Sequence, residues 1–165
     1  MGTKNRGRHC RLRLRTLIRW PWYFESCPVT PGEYILRLIP RVYYDPSLQE
    51  SPIQDQSFRP NKRDTDGISF SRLDFVTRRQ RGIKARNPGA YIATLKVADL
   101  IKLGLNPIPS PVPDDLPGHV VIPELSYANY AADKTKYKPI LLQLAKLAAS
   151  RPLFGPYGTE NTRTM

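Results

Sequence analysis

Proline is spread so densely through this chain that long regular elements have few places to form. There are 17 prolines and 10 glycines in 165 residues, about one residue in six against roughly 12% ordinarily. Proline fixes φ and removes a backbone donor, so helix interiors and central strands must fall between prolines. The chain therefore reads as short elements joined by many loops. A hydrophobic content of 40% is low but sufficient for one core, and the length suits a single domain with tails.

The intervals between prolines carry the periodic segments. Tyr34 to Ile39 is a strand candidate that follows the turn Thr30-Pro31-Gly32 and stops at Pro40. Val42-Tyr43-Tyr44 reads as its continuation on a sheet edge, where a proline is tolerated. Gly67 to Phe70, Ala90 to Leu95 and His119 to Ile122 are further strand candidates. Val97 to Leu103 has apolar residues at 97, 98, 100, 101 and 103, a helical pattern. Gly104 sits where a helix end takes a left-handed residue. Strand, short helix and the extended segment from Leu105 then form a compact crossover. Residues 107–117 hold five prolines and two adjacent aspartates, an extended and rigid loop. Residues 45–66, rich in Pro, Ser, Gln and Asp, read as a long loop, and a loop of that length is functional or mobile.

Ile140 to Ala149 is almost continuously apolar, with Gln143 and Lys146 as its polar interruptions. Pro139 suits its first turn and Pro152 ends it. A helix this apolar buries most of its circumference, against its own core or a partner. Leu141, Leu144 and Leu147 are expected in the core. The expected class is α+β, a small mixed or antiparallel sheet with one or two packing helices and long Pro-rich loops. It is expected over residues 28–152, between a basic, flexible arm (1–27) and a flexible C-terminal tail (153–165).

Charge is unevenly distributed. The first 24 residues hold Lys4, Arg6, Arg8, Arg11, Arg13, Arg15 and Arg19 and none of the 14 acidic residues. The other 141 residues carry 19 basic and 14 acidic side chains, so the basic character belongs mainly to one end. A second run, Arg78, Arg79, Arg81, Lys84 and Arg86, also lacks an acid. Cations near phosphates release counterions, so such segments bind nucleic acid with steep salt dependence and little sequence choice. Trp20, Trp22, Tyr23 and Phe24 are suited to stacking on unpaired bases. An anionic membrane surface is another reading, since it favours Arg and Trp together. A solvated arm without a binding role is a third.

In the body, His119 directly precedes an aliphatic strand and follows Asp114 and Asp115. One reading is a general acid or base oriented by an aspartate. The other is a structural ring that bonds the proline loop and fixes its path. Arg37, Arg41 and Arg59 are candidates to converge on an anion, for which the planar guanidinium is suited. If Leu36 and Leu38 face the core, Arg37 points to solvent or a cleft. The alternative is an arginine paired with Asp45, Glu33 or an acid of the long loop. Asp64, Asp66, Asp114 and Asp115 lack any known metal-ligand spacing, and Asp64-x-Asp66-Gly67 is also an ordinary turn. No cofactor motif appears: no Gly-rich phosphate loop, Gly-x-Ser-x-Gly or zinc-finger spacing. Cys10 and Cys27 have no Cys-x-x-Cys partner, which fits a reducing cytoplasm. There is no run of about 18 apolar residues.

The body also resembles a family of small bacterial proteins. The matching pieces are Leu36-Arg37-Leu38-Ile39-Pro40, Phe58-Arg59-Pro60, Gly67-Ile68-Ser69-Phe70, and Ala93-Thr94-Leu95 running into Leu103-Gly104-Leu105. The most specific is Pro111-x-Pro113-Asp114-Asp115-x-Pro117-x-His119 before an aliphatic strand. This covers roughly residues 34–123 and implies a shared fold without an activity. Three functional expectations follow from the residues. The first is a non-catalytic basic accessory protein contacting nucleic acid through the arm and the 78–86 loop. The second is a small enzyme with Arg37, Arg59, Asp114 and His119 in a cleft, acting on a phosphate-bearing or nucleotide substrate. The third is a protein-interaction module using the 140–149 helix.

Overall fold

The computed structural model describes residues 26–48, 50–76, 89–112 and 118–157. Five strands form one sheet: β1 (Tyr34–Ile39), β2 (Ile68–Arg72), β3 (Tyr91–Lys96), β4 (Ile108–Pro109) and β5 (His119–Ile122). Their order across the sheet is β3-β1-β2-β5-β4, and every pairing is antiparallel. Among the described residues the helices are α1 (Val97–Lys102), α2 (Tyr127–Ala132) and α3 (Lys134–Ala149). The α+β class expected from the sequence is what forms.

The sheet is apolar on both faces, which the alternation along β1 makes plain. Ile35 and Ile39 enter the main core with Ile68, Phe70, Ala93, Leu95, Val120 and Ile122 of the other strands. From α3, Tyr137, Leu141, Leu144, Ala145 and Ala148 pack against them. Leu147 lies partly buried at the margin of that core. On the opposite face Leu36 joins Val76, Ala90 and Ile92 in a small second cluster, with Leu38, Leu73, Phe154 and Tyr157 around it.

Several elements differ from the sequence reading. α3 begins at Lys134, with the Asp133 carboxylate accepting from Lys136 N at 2.9 Å as its N-cap. Pro139 thus lies inside the helix rather than in its first turn. Val42 and Tyr43 do not extend β1; they lie in a 3₁₀ turn, Arg41–Tyr43, after Pro40. β3 and β4 run in the same direction on opposite edges, so α1 links the two sides of the sheet instead of neighbouring strands. Gly104 has φ 74° just past α1, as its position suggested.

The long stretch from Asp45 to Asp66 is built into the core. Ile53 and Phe58 are fully buried within it, Tyr44 and Ile53 bridge, and a 3₁₀ turn forms at Asp55–Phe58. Residues past α3 also join the sheet. Ile92 N donates to Phe154 O at 2.8 Å, Phe154 N to Ile92 O at 3.0 Å and Tyr157 N to Ala90 O at 2.9 Å. The tail expected to be flexible from residue 153 is therefore bonded to β3 at Phe154 and to the residues just before β3 at Tyr157, and the rest of it lies outside the described residues.

Candidate functional site

The two described candidates that lie on strands, Arg37 and His119, fall on opposite faces of the sheet. Register places Leu36 opposite Ser71, and Ser71 opposite His119, in one row on the face of the small cluster. Arg37 shares the other face with Ile35 and Ile39. Arg37 and His119 therefore do not meet in one cleft. The reason is the doubly buried strand: apolar residues occupy both phases of β1, so neighbouring leucines did not reveal which face held the larger core.

Arg37 is an internal clamp. Its Nη1 donates to Ser69 O at 2.9 Å, and Nη2 and Nε donate to Ser57 O at 3.1 and 3.3 Å. The guanidinium lies 5.6 Å from the Phe70 ring centroid. Its register partner on β3 is the small Ala93. Burial lowers its pKa from the ordinary arginine value, with the charge of Asp64 opposing. These bonds tie the 55–58 turn to β2, so carbonyls rather than an acid take its donors. Arg59, two residues beyond the turn's Ser57, is exposed and does not join it.

His119 is buried, and its Nδ1 lies 2.6 Å from Ser110 O. Ser110 N donates in turn to His119 O at 3.0 Å. The ring thus holds the proline segment against β5, the structural role considered for it. A carbonyl oxygen only accepts, so Nδ1 carries the hydrogen in this bond. Asp114 and Asp115 lie outside the described residues.

One buried arginine escaped sequence reasoning. Arg72, at the end of β2, binds Glu33 through two bonds, Nε to Oε2 at 2.7 Å and Nη2 to Oε1 at 2.9 Å. Its Nη1 donates to Cys27 O at 2.8 Å, and its guanidinium stands 4.7 Å from the Phe75 ring centroid. Glu33, considered as a partner for Arg37, is engaged here instead. This bidentate pair anchors residues 27–33, where the N-terminal segment joins the sheet. Cys27 is disulfide-bonded, and Cys10 lies outside the described residues.

Asp64 belongs to a turn: its Oδ2 accepts from Asn61 N at 2.7 Å and its N donates to Asn61 O at 2.9 Å. Among the described residues no group of His, Cys, Asp and Glu is arranged to hold a metal ion. None of their helices is long and apolar enough to cross a membrane. The nucleic-acid candidates Arg6, Arg8, Arg11, Arg13, Arg15, Arg19, Arg78, Arg79, Arg81, Lys84 and Arg86 all lie outside the described residues.

Two concave places stand out on the described surface. One is a groove of about 450 Å³ between α3 and the 48–56 segment, lined by Leu48, Ile53, Leu142 and Ala145 and bordered by the exposed Glu50–Lys146 pair at 2.9 Å. The other is a hollow of about 420 Å³ beyond the end of β1, walled by Arg41, Tyr44, Pro46, Gly89, Tyr91 and Pro156. Compared with family models, curated proteins and solved structures, the chain matches none. No family model supports the resemblance expected over residues 34–123.

Proposed function

We propose that this protein is a basic accessory protein that contacts nucleic acid non-specifically, through its N-terminal arm and the 78–86 run. The observation that carries the reading is the charge distribution: seven cations and no acid in the first 24 residues. A polyanion attracts such a segment through counterion release, which needs no shaped pocket. The arrangement of the body supports this reading over the enzyme one. Arg37 bonds carbonyls and His119 bonds Ser110 O, on opposite faces, so these two members of the expected cleft share no site. The interaction-module reading is weakened by α3, whose apolar side packs on its own sheet, leaving Leu142 exposed.

The test is binding of the full chain to single- and double-stranded DNA and RNA across a salt series. Steep, sequence-independent loss of affinity with salt is expected. Salt-insensitive binding, or none at low salt, contradicts the reading. Cytoplasmic residence, expected from the sparse cysteines, remains a proposal and stands against the Cys27 disulfide, since disulfides are rare in a reducing cytoplasm. Thiol trapping in intact cells reads the redox state: a reduced Cys27 supports the cytoplasm, and an oxidised one sets that placement aside.

A further inference from the structure

The hollow beyond β1 is where the described fold presents unengaged chemistry. Tyr44 and Tyr91 meet there with ring centroids 4.3 Å apart and planes tilted by 34°. Both are partly buried against the main core, so the rings are held by the framework. Arg41 is exposed beside them. Among the described residues, its guanidinium and both tyrosine hydroxyls have no hydrogen-bond or ion-pair partner. The arginine is nevertheless positioned. A Cβ on Gly89 would lie 2.8 Å from Arg41 Cδ, so the arginine stem passes directly over this glycine. Gly89 has φ 78°, where glycine is favoured, and its N–H is fixed to Tyr157 O at 2.7 Å.

A framework-held aromatic wall beside a positioned cation selects a ligand with a flat face and an anionic group. Aromatic rings accept any base by stacking, and the guanidinium fork accepts phosphate oxygens. The tyrosine hydroxyls add donors and acceptors for a base edge or a sugar. A volume of about 420 Å³ lies within the range of small-ligand sites, roughly 300–1,000 Å³. Gly89 also follows closely in the chain on Arg86, the last residue of the second basic run.

We propose that this hollow binds one unpaired nucleotide, with its base stacked on the outer face of the Tyr44–Tyr91 pair and its phosphate on Arg41. The proposal rests on the nucleic-acid reading above and gives it a preference for single strands. The same chemistry is offered by a free nucleotide and by an unpaired residue of a strand, so both are probed.

Full-length protein and its Arg41→Gln variant are titrated with a fluorescent oligothymidylate, a duplex of equal length and uridine monophosphate, the last followed by amide shifts of Gly89 and Tyr91. Circular dichroism verifies that both proteins are folded. Arg41→Gln is expected to weaken the single strand about five- to tenfold and the duplex less than about twofold. Uridine monophosphate is expected to shift the Gly89 and Tyr91 amides in the parent protein only. Equal loss on strand and duplex overturns the proposal, because Arg41 is then an ordinary phosphate contact. No loss on either, with binding retained, overturns it while the arm reading stands. Arg41-dependent binding of the mononucleotide, with neither polymer bound, keeps the hollow as a nucleotide site and removes the nucleic-acid reading. Binding of none of the three probes removes both.

Discussion

Arg37 and Arg41 stand four residues apart in the chain and have opposite surroundings. Arg37 lies under the 55–58 turn with its donors on Ser57 O and Ser69 O. Arg41 follows Pro40, leaves the strand, and lines a hollow with two tyrosines, its guanidinium without a partner among the described residues. A guanidinium that satisfies carbonyls is framework, since moving it onto a ligand would leave those carbonyls unpaired. A guanidinium with a packed stem and free donors can receive an anion without dismantling anything. Residue type and sequence spacing thus do not identify a functional arginine; the destination of its donors does.

Replacing each arginine and reading stability and binding separately distinguishes the two roles. Arg37→Met should give the largest change, lowering stability by about 2–4 kcal/mol in urea unfolding, because its charged hydrogen bonds to buried carbonyls disappear. Its affinity for single strands should be unchanged where the protein remains folded. A stable Arg37→Met variant that no longer binds would invert the assignment. His119→Asn should lower stability by about 1–3 kcal/mol, through removal of the bond to Ser110 O. Retained stability with a selective loss of binding would instead make His119 a ligand-binding residue.

A smaller effect belongs to the segment that leads away from the hollow. Ser47 Oγ donates to Asp45 Oδ1 at 2.6 Å and Ser47 N donates at 2.9 Å. These bonds hold the Asp45 carboxyl below the usual aspartate range. A depressed folded pKa stabilises the protein above the unfolded value, and the contribution fades as pH falls through the folded one. Melting temperature should therefore decline on the acid side of about pH 4, and Asp45→Asn should reduce that decline. An identical acid limb in the variant would show that Asp45 does not contribute. The smallest stability effect is expected for Arg41→Gln, within about 0.5 kcal/mol of the parent, as for other surface changes. A larger loss would show that Arg41 is framework after all.

The elements bounded by proline or turn residues were legible in the sequence. β1 and β5 occupy the intervals read for them, and Gly104 and Pro152 mark the ends of α1 and α3. What was illegible depended on competing signals or long-range partners. Pro139 imitated a helix start, while the true cap is Asp133, ahead of a polar turn, Lys134-Thr135-Lys136, that carries no apolar periodicity. The polar composition of residues 45–66 concealed Ile53 and Phe58, two isolated apolar residues that the core takes up completely. The face that Arg37 takes was not legible because both phases of Tyr34–Ile39 are apolar. The hollow was beyond reach because Arg41, Tyr44 and Tyr91 meet through sheet register, and no local pattern joins residue 44 to residue 91.

The N-terminal arm carries the proposed function most directly. The decisive measurement is the slope of log affinity against log salt for single-stranded DNA, compared between the full chain and its Arg11→Gln, Arg13→Gln, Arg15→Gln variant. Each single-strand phosphate left without its arginine should reduce the slope by about 0.7, so the triple variant should show a slope shallower by roughly 2. It should also weaken binding about equally on all sequences. An unchanged slope and affinity in a folded triple variant would contradict the account, because the cations that motivate it would then touch no phosphate.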